Sequence, residues 1–226
     1  MTTPLVVYTC ITGGKATDGL KAVIAPQDDA RRKVRYVCFT DSLTEQEGLD
    51  LGWEILPPLW RHEKDHRRTS RWHKVNSHRC FDNPLVLWHD ATHQLCVNPW
   101  EIVDKHLGAS HVASFKHPQR DCVYDELQAC LHLKKDDPTV MAMQVNRYRM
   151  MGYPAHHGLL ETTLTLRRNE LVTRRFNDLW WREIVEGSVR DQLSVGYALW
   201  KSEARVAIVP GSRTTCKYFN FTPHCR

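Results

Sequence analysis

Leu85, Val86, Leu87, Trp88, His89, Asp90, Ala91, Thr92 form a short apolar run that delivers one acid to its carboxyl end and then stops. Strands of a parallel sheet are covered on both faces and read as unbroken apolar runs. Their carboxyl ends open into the crevice where α/β proteins bind ligands and metals. Asp90 is therefore a candidate ligand-binding acid; the plainer alternative is a loop aspartate that caps the next turn.

Outward from this run, the pattern alternates between strands and helices. Residues 5–12 are rich in β-formers and end in Gly13 and Gly14, and residues 34–40 end at Asp41 and Ser42. Residues 53–56, 113–115, 159–167 and 206–209 read as further strands. The period and the Gly/Pro stops predict helices over 64–79, 121–133, 140–151, 169–185 and 188–200. Such alternation without an internal repeat predicts an α/β fold, a mixed sheet flanked by helices.

At 226 residues, with no Pro/Gly/Ser-rich linker and no charge block, the chain reads as one domain spanning 1–226. No apolar stretch approaches the roughly 18 to 20 residues that a membrane span needs. Residues 5–12 have neither a basic segment before them nor a small-residue cleavage site after them, so no secretory signal is expected. The eight cysteines are scattered with no Cys-x-x-Cys pair, which predicts reduced thiols and a cytoplasmic location. A net charge of +5 with 13 histidines suits anionic ligands such as nucleotides but is too weak to announce a nucleic-acid binder.

Several groupings could carry chemistry. In the helix over 64–79, Arg67, Arg71, Lys74 and His78 recur at offsets of four, three and four and share one face. Such cations need an anion, and guanidinium forks match phosphate oxygens; a solvated face partly neutralised by Glu63 and Asp65 is the other reading. His89, His93 and Cys96 have zinc-like spacing, but a strand would point the two histidines apart, and a hard cation on Asp90 fits better. Ser188-Val189-Arg190-Asp191 matches a capping box at a helix start, beside Gln192. His117 with Arg120 could hold a phosphate, and Glu161 could act as a base or make a cross-strand ion pair. Trp180 and Trp181 are either a sugar-stacking platform or core. No Walker loop, Rossmann glycine fingerprint or nucleophile elbow occurs.

Taken in order, YTCITGG (residues 8–14), YVCFTD (36–41), RWHK (71–74), WHDA (88–91), FKHPQRDCVYDE (115–126) and SVRDQLS (188–194) resemble a glycosyltransferase-like family. That family was long catalogued as a domain of unknown function, with bacterial and plant members, and is thought to adopt a GT-A type fold. It is distantly similar to family 8 glycosyltransferases. The resemblance implies a nucleotide framed by Thr9, Gly13 and Asp41, donor phosphates facing Arg71 and Lys74, Mn²⁺ or Mg²⁺ on Asp90, and a donor sugar at Asp191 and Gln192. One position departs from the Asp-x-Asp pattern: Thr92 stands where the second acid belongs. Either Thr92 or His93 completes the metal shell, or the basic helix face replaces part of the cation's role.

Together these readings predict a transferase that moves a sugar from a nucleotide-sugar donor to a hydroxyl acceptor. In an inverting reaction Asp191 or Glu161 would be the base; a retaining one needs none. A glycan is the first acceptor class and a hydroxylated DNA base the second. The competing prediction is a noncatalytic nucleic-acid-binding or zinc-binding module built on His89, His93, Cys96 and the basic helix.

Overall fold

The computed structural model describes residues 4–14, 19–25 and 32–222. Its main sheet is built from β1 (Leu5–Ile11), β2 (Val34–Thr40), β3 (Glu54–Leu56), β4 (Leu85–His89), β6 (Val112–Lys116), β7 (Leu160–Arg168) and β8 (Val206–Val209). They lie in the order β3-β2-β1-β4-β7-β6-β8. All neighbours are parallel except β7, which runs antiparallel to both β4 and β6. Two short strands that the sequence pattern did not reveal, β5 (His93–Leu95) and β9 (Phe219–Phe221), form a separate antiparallel ribbon.

The chain runs outward from β1 to β3 and then returns to the other side of β1 as β4. That reversal opens a crevice at the carboxyl ends of β1 and β4, where Gly13 and Asp90 emerge. Every residue of β1 and of β4 is buried, as continuous apolar runs require. Leu5, Val7, Leu85 and Leu87 enter one core with Ile102, Leu107 and Phe115, while Val6, Tyr8, Val86 and Trp88 enter another with Phe39 and Phe81. Each large apolar side chain so covered contributes on the order of 1.5–3 kcal/mol before the entropy cost of ordering it.

Helices cover the sheet. They include α1 (Glu45–Asp50), α2 (His66–Val75), α3 (Ser77–Cys80), α4 (Pro99–Ile102), which runs on into one π-helical turn, α5 (Val123–His132), α6 (Pro138–Met150), α7 (Leu171–Glu186) and α8 (Asp191–Ser202). The single helix expected over 64–79 is two, broken at Asn76. Arg167 of β7 donates to the carbonyls of Lys74 (2.6 Å) and Val75 (2.9 Å), which fills acceptors that a longer helix would use. The expected capping box at Ser188 does not form either, and α8 begins at Asp191. Ser188 Oγ donates to Asp136 (2.7 Å) and accepts from the Arg190 amide (3.1 Å), while the Asp191 side chain turns inward. Trp180 is wholly buried and donates to the Asp191 carbonyl at 3.1 Å, so it belongs to the core.

Two buried histidines make stability depend on pH. His73 donates from Nδ1 to the Thr69 carbonyl (2.8 Å) and accepts the Leu59 amide on Nε2 (2.9 Å), an arrangement that only the neutral ring permits. Burial pushes the pKa of His73 down to about 4, and that of His89 likewise to about 4. The unfolded rings take a proton below about 6.5, so their contribution is complete above that pH and is lost as the pH falls toward 4. Thermal unfolding followed from pH 7 to pH 4.5 should show a steady fall in midpoint, with a shallower slope in His89→Phe. A midpoint that stays flat over this range would contradict the assignment of neutral rings.

Candidate active site

Asp90 follows β4 directly and shares a cleft of about 220 Å³ with the end of β1, one face of α2 and Thr92. It is the one acid among the described residues lining that cleft, and its side chain is 30% exposed. Trp88, two residues earlier on the same side of the strand, donates its indole N–H to Asp90 Oδ1 at 2.9 Å. Lys74 Nζ lies 3.5 Å from the same oxygen. Both contacts fall on Oδ1, which leaves Oδ2 without a hydrogen bond among the described residues and suits a hard cation held by one carboxylate with phosphates and water.

Behind Asp90 lies a charge cluster contributed by three elements. Lys74 Nζ stands 2.6 Å from Asp191 Oδ2 and donates to Thr162 Oγ1 at 3.1 Å, and Thr162 in turn donates to Asp191 Oδ2 at 2.8 Å. Arg71 Nε lies 3.3 Å from Asp191 Oδ1 but off the hydrogen-bonding line. Burial alone would raise the pKa of both acids. For Asp191, Arg71 and Lys74 reverse that effect and hold the carboxyl well below the usual range; for Asp90, Lys74 and Arg71 do the same more weakly. Two cations thus balance two carboxylates, and the stacked charges of α2 find their anions inside the protein. Arg67, farther up the stripe, pairs with Asp65 (3.2 Å) and Asp136 (3.7 Å).

This geometry revises two expected contacts. Lys74 is 1% exposed and spends its ammonium on Asp191 and Thr162, so it supports the cleft from behind and does not meet a phosphate. Thr9 is fully buried within β1, whereas its neighbours Cys10, Ile11 and Thr12 line the cleft. Asp191, expected as a base, is buried and doubly ion-paired, which makes it a counterion and a poor proton acceptor.

Glu161 on β7 is the opposite case. Burial raises its carboxyl pKa and Arg213 opposes the rise, with the Arg213 amide 3.1 Å from Oε2 and its Nε 3.4 Å from Oε1. Asp90 is close enough to raise the proton affinity of Glu161 further through like charge. Arg213 escaped the sequence reading although it follows the carboxyl end of β8, the same rule that singled out Asp90. Thr162 escaped because a threonine among leucines on a strand looks like an ordinary β-former.

At the rim of β1, Gly13 has φ +85°, and a Cβ there would stand 2.6 Å from the His66 ring, so only glycine fits. Its amide donates to Asp41 (3.2 and 3.3 Å), and Asp41 also faces Arg61 at 3.6 Å. His117 and Arg120 sit apart from the cleft in a cluster of their own. His117 Nδ1 accepts the Arg120 amide (3.1 Å), and the Arg120 guanidinium donates to Glu126 at 2.6 Å. Gln192 accepts from Arg190 at 2.8 Å.

The zinc-like trio does not converge. His89 Nδ1 lies on the Asp90 carbonyl (3.1 Å), His93 Nδ1 on Thr92 Oγ1 (3.0 Å), and the Cys96 thiol donates to the Lys217 carbonyl (3.5 Å). The competing zinc-module reading therefore loses its ligands.

The chain is 27% identical over 230 residues to "Probable hexosyltransferase MUCI70" of Arabidopsis thaliana; the match covers 90% of this chain and 39% of that protein. Among solved structures, it is similar to the bifunctional glycosyltransferase WbbM (TM-score 0.54, 11% identity, 92% of this chain and 38% of that one). It is also similar to the galactosyltransferase LgtC, solved with donor and acceptor sugar analogues (0.53, 10%, 91% and 73%), and to mouse xyloside xylosyltransferase 1 (0.52, 9%, 91% and 84%). These structures establish the GT-A type of fold expected from the resemblance. Residues 1–224 match the family described as TOD1/MUCI70, glycosyltransferase-like domain, and the chain belongs to that family.

Proposed function

We propose that this chain transfers a hexose from a nucleoside-diphosphate sugar to a hydroxyl acceptor. One observation carries the reading: an ionised, partly exposed Asp90 is the one acid among the described residues lining the cleft where the strand order reverses. The probable hexosyltransferase among the relatives supports the choice of a hexose.

Breaking the anomeric bond places negative charge on the departing diphosphate and positive charge on the sugar. A divalent cation, Mn²⁺ or Mg²⁺, would supply charge neutralisation on the diphosphate when bound at Asp90. Arg71, 22% exposed on the cleft wall, adds a fixed guanidinium there, and Arg67 stands beside it with a 55% exposed side chain. Gly13 and Asp41 shape the rim for the nucleotide. Lys74 and Thr162 hold Asp191 behind the cleft, and this buried pair fixes the position of Arg71 on the cleft wall. In an inverting reaction Glu161, with its raised proton affinity, is the better base of the two carboxylates. Seven free cysteines among the described residues support the reading of a reducing, cytoplasmic setting, and no described helix is long and apolar enough to cross a membrane.

A thermal-shift series with UDP-, GDP-, CMP- and dTDP-sugars, with and without Mn²⁺, tests the proposal. One nucleotide class should raise the unfolding midpoint, more so with Mn²⁺. At a donor concentration about 100 times its dissociation constant the gain is roughly 2.7 kcal/mol. No shift with any donor would overturn the reading.

A further inference from the structure

A second group of potential ligands lies on the loops leading into α5 and out of α6, outside the cleft. Cys122 occupies the position before the first turn of α5 in an extended conformation, and Asp125 follows three residues later in that turn. The two side chains therefore rise together at the start of the helix. The chain after α6 brings His156 against them in a left-handed conformation (φ 54°), and the Gly158 amide ties this turn to the Asp121 carbonyl at 3.0 Å. A ligand atom from each of Cys122, Asp125 and His156 lies within 4.8 Å of the other two.

Two further observations point to a cation. Asp121 Oδ1 lies 2.8 Å from His156 Nδ1, so a carboxylate fixes the ring orientation and leaves Nε2 as the ligand nitrogen. Metal-bound histidines are held this way in most metal sites. Cys122 is 2% exposed, belongs to no disulfide, and its thiol makes no hydrogen bond among the described residues. A buried thiol beside an imidazole and a carboxylate is a mixed soft and borderline ligand set, unlike the lone carboxylate of Asp90.

We propose that Cys122, Asp125 and His156 bind Zn²⁺, with Asp121 orienting His156 and water in the fourth tetrahedral position. Bond lengths of about 2.0–2.3 Å put tetrahedral ligands about 3.3–3.8 Å apart, so any separation near the upper bound closes as the ion binds. Asp125 and His156, both exposed, can make that movement. As the Zn–S bond forms, the Cys122 thiol releases its proton to solvent. The ion would pin the turn at residues 151–158 to the loop that carries His117 and Arg120. The site does not depend on the sugar-transfer reading.

The test is a Co²⁺ titration of the metal-stripped full chain, followed by Zn²⁺ displacement. One equivalent of Co²⁺ should give a near-ultraviolet thiolate-to-cobalt band that Zn²⁺ abolishes. Cys122→Ser should remove the band, while Cys130→Ser, a neighbouring buried thiol, should keep it. His156→Ala removes an exposed side chain and should weaken binding, with a melting curve to show that the fold persists; Asp121→Asn should weaken it by 10–100-fold. Three results would each overturn the site: no band at equimolar Co²⁺, a band that survives Cys122→Ser, or unchanged affinity in His156→Ala.

Discussion

Replacing Lys74 with methionine should lower the free energy of unfolding by about 3–5 kcal/mol, the usual cost of stranding one member of a buried ion pair. Lys74 and Asp191 are 1% and 3% exposed and 2.6 Å apart. Without the ammonium, the Asp191 carboxylate keeps the Thr162 hydroxyl and the off-line guanidinium of Arg71 but faces Asp90 without the Lys74 charge. The double variant Lys74→Met/Asp191→Leu should recover part of the loss, because the paired ammonium and carboxylate leave together, while Arg71 and the Thr162 hydroxyl lose their Asp191 partner. Urea unfolding of the four proteins gives the coupling energy directly. A single-variant loss below about 1 kcal/mol would mean that water reaches the pair. The pH sign follows from the depressed carboxyl of Asp191. Its pairing stabilises the fold above the unfolded pKa of about 3.9 and is lost only as the pH falls through the lower folded value. The buried histidines therefore give way first on acidification and the Lys74–Asp191 pair last.

Asp90→Asn should leave the fold intact and reduce metal-dependent turnover on the order of 10²–10³-fold. That is the scale seen when one preorganised electrostatic partner of the transition state is removed. Asparagine keeps the shape and an oxygen for the Trp88 indole N–H, while Lys74 retains Asp191 as its main partner. The change therefore isolates the negative charge that a divalent cation needs. Initial rates measured against Mn²⁺ concentration, beside a melting curve for each protein, separate this effect from unfolding. Turnover that still responds to Mn²⁺ as in the parent would remove Asp90 from the metal's shell.

The parts of the fold legible in the sequence are those governed by local pattern. The unbroken apolar runs of β1 and β4 give buried parallel strands, and the turn residues after them mark the crevice. Asp90 and Arg71 could be placed at the cleft because a strand end and a helix face are short-range properties. What escaped prediction depends on partners far along the chain. The break at Asn76 is imposed by Arg167, about ninety positions later, and the late start of α8 by Asp136, which binds Ser188. No periodicity near residue 188 reports that an aspartate fifty positions earlier will take the serine hydroxyl. Arg213 belongs to the same class, since its partner Glu161 lies on a strand 52 residues away.

The antiparallel β7, set between β4 and β6, also determines when the cleft can assemble. It supplies Thr162 to the Lys74 ammonium and Arg167 to the Lys74 and Val75 carbonyls, and α8 then brings Asp191. A nascent chain that has not yet released residues 160–191 from the ribosome holds β1, α2 and β4 but lacks the groups that fix Lys74 beside Asp90. The early strands reach the solvent well before the chemistry does. Completion of the site thus coincides with the addition of a late strand to the β4 edge of the sheet, which also joins β6 to it, a slow, nonlocal step of folding.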